Sequence, residues 1–357
     1  MHVTVVASVP RALSELNEAD LAVALQGEPA YRRAQLWEGL FRSTAPSLER
    51  IHPLPRRLRA SIAMLAPFTS LAVQREEVSL DGTRKALFAT ADGAAVEAVC
   101  LPSERGAATT VCVSSQAGCG LACAFCATGA LGLTRSLSAG EIVDQFLHYR
   151  RTLSGVSAPN RVVFMGMGEP LANLPRVREA VAILTDPARV GLGARHVTVS
   201  TVGLPAGIRA LAQWPVQIGL AISLHAPVDD IRSRLAPLNR RFPLADLMDA
   251  SRAYQRCTGR RVSYEYTMLA GVNDTPELAR ALGNLVAGQR CHVNLIPFNP
   301  YPGASFTPSP REAIRRFRDT LRTAGVAATV RRTRGRDIAG ACGQLHAGRL
   351  AGPLPPA

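Results

Sequence analysis

The sequence predicts an α/β fold in which parallel strands form a sheet or barrel, with a helical region in front of it. Two observations lead to this prediction. Between residues 109 and 332, apolar runs of strand length alternate with amphipathic helical patterns, which is typical of a parallel sheet covered by helices. The first 100 residues differ, since 11–70 are helix-like and basic whereas 71–101 alternate as strands do. In such a fold the functional residues lie at the carboxyl ends of the strands.

Short runs of apolar and β-branched residues mark the strands of the parallel part. Seven such runs lie at 109–115, 161–167, 196–201, 216–225, 261–269, 291–298 and 326–332. Between them, apolar residues spaced three and four apart predict helices at 138–153, 174–186, 205–214, 243–257, 275–288 and 309–325. Strands and helices together make six or seven β/α units.

The N-terminal third has its own organisation. Asp81-Gly82 and Asp92-Gly93 predict tight turns between strands. We expect four parts: an N-terminal helical, basic domain at 1–70, a small β element at 71–104, the β/α series with a C-terminal cysteine loop at 105–345, and a flexible tail at 346–357.

The charge of the chain indicates a polyanionic partner. Basic residues number 41 against 27 acidic residues, for a net charge of +14. Lys85 is the only lysine. A bias in genome composition explains the preference for arginine but not the excess of base over acid. Arginine suits bidentate contacts with phosphate, so a nucleic acid is the favoured partner and an anionic membrane surface the competing one.

No segment is typical of a targeting signal or a membrane span. The apolar stretch at 3–9 is short and lacks the basic region and cleavage site of a signal peptide. No apolar run is long enough to cross a bilayer. We therefore expect a cytoplasmic protein, in which clustered cysteines stay reduced and bind metal or take part in catalysis.

Three of the eight cysteines lie in the short stretch "CGLACAFC". Cys119, Cys123 and Cys126 follow the first strand of the β/α series with the spacing C-x3-C-x2-C. A structural zinc site takes four ligands, often from two C-x2-C pairs, and the other cysteines here are dispersed. Three thiolates can instead hold an iron–sulfur cube and leave one iron open to a substrate or cofactor. The spacing favours the cluster over a zinc knuckle.

This spacing, with Phe125 just before the third cysteine, resembles the radical S-adenosylmethionine (SAM) superfamily. Further segments resemble the RlmN/Cfr family of RNA adenosine methyltransferases over roughly residues 20–345. The resemblance implies a partial (βα)6-type radical SAM barrel whose N-terminal helical domain contacts RNA. The segments are "GEPAYRRAQLWEGLF", "CVSSQAGCGLACAFCATG", "FMGMGEPLAN", "VTVSTVG", "AISLHAP", "EYTMLAGVNDT", "VNLIPFNP" and "TRGRDIAGACGQL".

The resemblance implies two cofactors, a [4Fe-4S] cluster and SAM. Cys119, Cys123 and Cys126 would ligate the cluster, whose fourth iron chelates SAM and whose reduction cleaves SAM to a 5′-deoxyadenosyl radical. A glutamate suits the SAM ammonium, which needs a fixed acceptor. The implied SAM-binding residues are Gly168, Glu169, Ser200, Ser223, Leu224, His225 and Asn299.

Two more cysteines and a glutamate complete the implied mechanism. Cys342 accepts a methyl group from one SAM as a thiolate, and the radical from a second SAM abstracts hydrogen from that methyl, which then adds to adenine. Glu97 is the implied proton acceptor. Cys112 attacks the Cys342 sulfur, which releases the product and leaves a transient disulfide to be reduced. The separation of Glu97 from Cys112 indicates a small turn insertion that displaces Arg105 from its usual position.

The implied substrate is 23S rRNA at the peptidyl-transferase centre, with tRNA as a second substrate. Methylation of adenine carbon 2 is favoured over the carbon 8 methylation of Cfr-like members, which confers antibiotic resistance. Methylation of another RNA is a further alternative. A protein of another class, a non-catalytic iron–sulfur RNA-binding protein or electron carrier, would have no use for Cys112 and Cys342.

The remaining expectations concern partners. We expect an electron donor such as flavodoxin or its reductase, no membrane partner, and a monomer. Arg334, close in sequence to Cys342, is the strongest candidate for RNA contact. The helical residues Arg315, Arg316 and Arg318 either contact RNA or form a solvated face.

Overall fold

A ten-stranded sheet organises the chain in a computed structural model that describes residues 12–103 and 108–348. The strands are β1 (Leu71–Val78), β2 (Arg84–Thr90), β3 (Ala95–Pro102), β4 (Thr109–Cys112), β5 (Gln116–Cys119), β6 (Gly132–Ser136), β7 (Arg161–Phe164), β8 (Val197–Thr201), β9 (Gly219–Ser223), β10 (Val262–Met268), β11 (Cys291–Pro297) and β12 (Ala328–Val330). The helices are α1 (Glu18–Ala24), α2 (Tyr31–Trp37), α3 (Arg56–Ala63), α4 (Ala127–Ala130), α5 (Ala139–Thr152), α6 (Leu174–Thr185), α7 (Pro205–Ala212), α8 (Asp229–Leu235), α9 (Leu244–Thr258), α10 (Pro276–Leu285) and α11 (Arg311–Thr323).

The predicted α/β class is confirmed by the order of the sheet. Its strands run β1-β2-β3-β4-β7-β8-β9-β10-β11-β12, and those from β4 to β12 are parallel neighbours in chain order. Helices connect each of these strands to the next, which makes six β/α units followed by a last strand. The order ends at β1 and β12, so the described strands form an open sheet rather than a closed barrel.

Local sequence explains where the helices of this series begin and which face they bury. Ser138 caps α5 by accepting from the Glu141 N–H, while the Glu141 side chain accepts from the Ser138 N–H, and this reciprocal box fixes the helix start. α11 buries Ile314, Phe317 and Leu321, which lie on one face because they are three and four residues apart.

The first strands extend the same sheet instead of forming a sheet of their own. β1, β2, β3 and β4 pair antiparallel, and the hairpin turns contain Asp81-Gly82 and Asp92-Gly93 as expected. Gly82 and Gly93 have φ of +80° and +81°, which glycine adopts without strain. The proposed division at residues 70, 104 and 345 stays a prediction. Arg105 and most of the predicted tail lie outside the described residues.

A two-stranded ribbon that the sequence patterns did not predict lies after β4. β5 and β6 pair antiparallel, and Cys119 is paired with Gly132 at its end. Gly118 has φ of +79°, and a side chain there would collide with the Gly132 carbonyl at 2.0 Å. The ribbon starts the cysteine-bearing loop at the carboxyl end of the sheet, where the active site of such folds is built.

Candidate active site

Two adjoining cavities open at the carboxyl ends of the parallel strands. One, of about 140 Å³, is lined by all three clustered cysteines and by the predicted SAM-binding residues Gly168, Glu169, Ser200, Ser223 and His225. The other, of about 100 Å³, is lined by Cys112, Asn299 and Arg334. Cys126, Arg331 and Cys342 line both. We call them the cysteine-cluster cavity and the Cys112 cavity.

Backbone contacts fix the loop that carries the three cysteines. The Cys126 N–H donates to the Cys123 carbonyl at 3.1 Å, and the Gly129 N–H donates to the Cys126 carbonyl at 3.1 Å. A side chain on Gly129 would lie 2.9 Å from the Cys123 nitrogen, so only glycine allows the loop to fold back on itself. Burial raises the pKa of the Cys119 thiol to about 11. A positively charged ligand would be needed to hold these sulfurs as thiolates at neutral pH.

Glu169 lies at the entrance to the helix that follows β7. Its carboxylate accepts from the Leu171 N–H at 3.0 Å and from the Val202 N–H at 2.8 Å. It is 2% exposed, and burial raises the pKa of its carboxyl to about 7. The neighbouring Gly168 has φ of +99°, and a side chain there would lie 2.6 Å from Gln116. Close packing around Gly168 therefore holds the carboxylate at the cavity wall.

Most of the other predicted SAM-binding residues line a cavity. Ser200, Ser223 and His225 line the cysteine-cluster cavity, and Asn299 lines the Cys112 cavity. Ser200 donates to the Phe164 carbonyl at 3.0 Å. His225 has φ of +59° and accepts from the Thr267 N–H through Nδ1 at 3.0 Å. Burial and the nearby Arg232 charge lower its pKa to about 3, so its ring is neutral. Leu224, in contrast, is fully buried in the hydrophobic core and lines neither cavity.

A buried arginine that the sequence analysis missed holds together the strand ends that form the wall of the cysteine-cluster cavity. Arg232 of α8 is 1% exposed. It donates to the Leu224 carbonyl at 3.0 Å, to Asn239 Oδ1 at 2.7 Å, to the Ser223 carbonyl at 3.3 Å and to the Val202 carbonyl. Arg232 thus joins the carboxyl ends of β8 and β9. Its role depends on contacts with distant carbonyls, which no local pattern reveals.

We expect Arg232→Met to destabilise the fold by about 3 kcal/mol. The substitution leaves buried carbonyl groups without their donor, and hydrogen bonds to charged groups contribute ~1.5–3 kcal/mol each. The unfolding free energy from urea titration of the cofactor-free chain measures this. Arg234→Met is the matched control, because Arg234 lies on the same helix and is exposed. Equal stability of the two variants would contradict the role assigned to Arg232.

The loop that carries Cys342 is tied to the cysteine loop. The Ala127 N–H donates to the Gly343 carbonyl at 2.8 Å, and Thr128 Oγ1 donates to the Leu345 carbonyl at 2.6 Å. Asn299 donates through Nδ2 to the Cys342 carbonyl at 3.2 Å. These contacts hold Cys342 between the two cavities.

Cys112 and Cys342 face the same cavity as free thiols. All eight cysteines of the chain are unbridged, so the predicted disulfide between these two is not formed in this structure. Burial, followed by the charge of Cys342, raises the pKa of the Cys112 thiol to about 12. Arg331 lies beside both, and the negative charge of an ionised Cys342 raises the pKa of this arginine. Arg331 thus supplies a positive charge close to a Cys342 thiolate.

Glu97 is buried next to this loop but lines neither cavity. Its Oε2 accepts from the N–H groups of His346 and Ala347, both at 2.8 Å. Its Oε1 lies 3.3 Å from Nζ of Lys85, which is 3% exposed. Oε2 is therefore occupied by the segment just beyond Cys342, whereas Oε1 faces the only lysine in an ion pair but has no hydrogen-bond partner among the described residues.

Comparisons with known proteins agree with this geometry. Residues 113–282 match the radical SAM superfamily model. A probable dual-specificity RNA methyltransferase RlmN from Gemmatimonas aurantiaca is 46% identical over 93% of this chain and 91% of its own length. The chain belongs to the RlmN family of radical SAM RNA methyltransferases. Another RlmN relative, from Chloroflexus aurantiacus, is 47% identical over 96% of this chain and 94% of its own length.

A solved structure supports the RlmN-family fold. The crystal structure of a radical SAM methyltransferase from Sphaerobacter thermophilus matches with a TM-score of 0.91 and 46% identity, and covers 95% of this chain and 100% of that one. The relatives are named as methyltransferases, so the chain is an enzyme and the non-catalytic alternative is wrong. None of the described helices has the length and apolar character that crossing a bilayer requires.

The donor set fits the [4Fe-4S] cluster and SAM that the radical SAM superfamily implies. A cube distributes its ligands over separate irons, and Cys119, Cys123 and Cys126 line one cavity together with the buried carboxylate of Glu169. The residues present thus fit the cluster and SAM, and the match to the radical SAM superfamily favours the cluster over the zinc alternative.

One more acidic residue of this RlmN-family site was missed by the sequence analysis. Glu265 lies in β10, lines the cysteine-cluster cavity and accepts from Asn294 at 2.8 Å. Burial raises the pKa of its carboxyl, and Arg331 opposes this shift. Its position in the quoted segment "EYTMLAGVNDT" is a signal that could have identified it, because a charged residue within an otherwise apolar strand is rarely buried without a partner.

Proposed function

We propose that this enzyme methylates carbon 2 of an adenine in the peptidyl-transferase centre of 23S rRNA, and an adenine of tRNA as a second substrate. The proposal rests on the position of Cys342. This residue lines both cavities and therefore lies next to both the cluster cysteines and Cys112. The word "dual-specificity" in the names of the relatives supports two RNA substrates.

Cys119, Cys123 and Cys126 would hold the cluster, and Glu169 would accept from the SAM ammonium. When bound, these cofactors supply the methyl group and the hydrogen-abstracting radical. Gly168, Ser200, Ser223 and His225 would line the SAM pocket with them. Leu224 would contribute only main-chain atoms, because its side chain is in the core.

Cys342 would carry the methyl group to adenine. Its thiolate forms the new S–C bond, and Arg331 stabilises the charge before transfer. After the methylene radical has added to the ring, the adduct loses one electron, which the cluster would take up, and its ring proton. The Cys112 thiolate then attacks the Cys342 sulfur. This attack forms the S–S bond and breaks the S–C bond, whose electron pair stays with carbon and is protonated from solvent to give the methyl group of the product. An external two-electron donor then restores both thiols.

Glu97 remains the proposed proton acceptor for the ring hydrogen. Its closeness to the Cys342 loop supports this role. Since Glu97 is fully buried and lines neither cavity, proton transfer requires that bound RNA displace the segment around His346 and Ala347. Oε1, which accepts no hydrogen bond from a described residue, would take the proton.

The product decides between the candidate reactions. The chain is expressed in a bacterium that lacks its own RlmN, and nucleosides from 23S rRNA and tRNA are separated by mass spectrometry. We expect 2-methyladenosine in both RNAs, absent in the Cys342→Ala variant. A signal of 8-methyladenosine would instead assign the Cfr-like reaction. No methyl group on either carbon, in cells where the cluster is loaded, would show that another RNA is the substrate.

A further inference from the structure

A strongly basic groove lies beside the active site, between the start of α11 and the segment after β12. Its volume is about 800 Å³, and neither aspartate nor glutamate occurs in its lining. Six arginines line it, namely Arg311, Arg315, Arg318, Arg331, Arg332 and Arg336. Such a concentration of one charge in a groove attracts a polyanion.

Neighbouring carboxylates neutralise this charge only in part. Arg315 pairs with Glu312 at 2.8 Å and Arg318 with Asp319 at 2.7 Å, both within α11. The Arg315–Glu312 pair is exposed and the Arg318–Asp319 pair is partly exposed, and such surface pairs are weak enough to be exchanged for phosphate. Arg311 makes no ion pair with a described residue. The groove therefore retains a positive potential.

The groove also contains unsatisfied hydrogen-bond donors. No side chain caps the N-terminus of α11, where Pro310 precedes the helix. The first helical N–H bond is from Ile314 to the Pro310 carbonyl. Ser309, 6% exposed and part of the groove lining, has a hydroxyl without a hydrogen-bond partner among the described residues. Free N–H groups and the helix dipole at such an end favour a phosphate group.

The groove is continuous with the catalytic cavities. Asn299 and Arg331 line both the groove and the Cys112 cavity. An adenine that reaches Cys342 must leave its stack, so the phosphates on either side of it lie near the mouth of the cavity. A groove that begins at this mouth is where the adjoining strand would run.

We infer that this groove binds the phosphodiester backbone of the RNA strand next to the target adenine, with one phosphate at the N-terminus of α11. The inference rests on the chain being an RNA methyltransferase and is independent of which adenine carbon is methylated. It separates the arginines of α11 into two classes. Arg311, Arg315 and Arg318 line the groove, whereas Arg316 and Arg322 are exposed but do not line it.

The test compares RNA affinity of the cluster-loaded enzyme at several salt concentrations. The probes are unmodified transcripts of the peptidyl-transferase region of 23S rRNA and of a tRNA. We expect the double variant Arg311→Gln/Arg315→Gln to bind about tenfold or more weakly at low salt. We also expect the slope of log K against log salt to fall by about 1 to 2, since each phosphate contact contributes ~0.7–0.9.

Arg316→Gln is the matched control, because it removes one charge from the same helix outside the groove. Its slope should change by less than that of the single Arg311→Gln variant. Equal losses from these two single variants would overturn the inference, as would a wild-type enzyme that binds neither transcript. Cleavage of SAM without RNA should be unchanged in all variants, which shows that the fold and the cluster are intact.

A positional measurement completes the test. A photo-crosslinking amino acid at position 311 should label RNA within a few nucleotides of the methylated adenine, whereas one at position 316 should not. Labelling far from that adenine would overturn the placement of the strand in the groove. If the product proved to be 8-methyladenosine, the proposed regiochemistry would fail while the binding and labelling results would stand.

Discussion

Replacement of Cys342 by alanine should abolish methylation of RNA, whereas replacement of Cys112 by alanine should trap the enzyme on its substrate. Both thiols line the Cys112 cavity. In the proposed chemistry, however, Cys342 acts before the bond to adenine forms and Cys112 acts after it. Without Cys342 no methyl carrier exists. Without Cys112 the adduct between Cys342 and adenine forms but has no thiolate to resolve it.

Denaturing gel electrophoresis with radiolabelled RNA measures this difference. The Cys112→Ala variant should yield a covalent protein–RNA band, and the double variant with Cys342→Ala should yield none. Cys257→Ala is the control, since Cys257 is exposed on α9 and should retain full activity. Loss of methylation by Cys112→Ala without a trapped band would show that Cys112 acts before the carbon–carbon bond forms.

The second large effect is expected at the cysteine loop. Cys123→Ala should remove the iron–sulfur cluster, and with it every turnover of SAM, because a cube held by three protein thiolates has no ligand to spare. Cys119→Ala and Cys126→Ala should act alike. Iron and sulfide content and the visible absorbance of anaerobically reconstituted protein measure the loss directly, without depending on activity.

Cys100 provides a matched control for this loss. Cys100 is 1% exposed and packs in the hydrophobic core, and it lines neither cavity. Cys100→Ala therefore removes a thiol that is buried like that of Cys123 but lies outside the site. The control variant should bind iron as the wild-type chain does. A Cys123→Ala variant that keeps a full cluster would refute the assignment of the three ligands.

Much of the fold follows from the sequence because the parallel strands are buried and their apolar runs are unmistakable. All seven predicted strands of the β/α series are present, as are its six predicted helices. The β5–β6 ribbon was not predicted, because "QAGC" and "GLTRS" show no alternation and depend on Gly118 to pair. The short helix α8 was missed as well, since it is only 7 residues long.

The candidate site was predictable only where a residue belongs to a recognisable motif. The cluster spacing and the segment with Glu169 are local features, so their cavity could be anticipated. Arg232 and Arg331 act on carbonyls and thiols from distant strands, and chain folding alone brings them there. Leu224 shows that a motif can also mislead. It belongs to a recognisable motif, but its side chain packs in the hydrophobic core.

The burial of Lys85 has a consequence for how this enzyme can be regulated or labelled. The only lysine in the chain is 3% exposed beside Glu97. The folded surface therefore presents no lysine whose positive charge an acetyltransferase or an amine-reactive reagent could remove. The groove that we infer to bind RNA is lined by arginine and by no other basic residue type, and arginine stays protonated at any pH where the protein is folded. Its attraction for phosphate is thus set by ionic strength, and neither acylation nor alkaline pH can tune it.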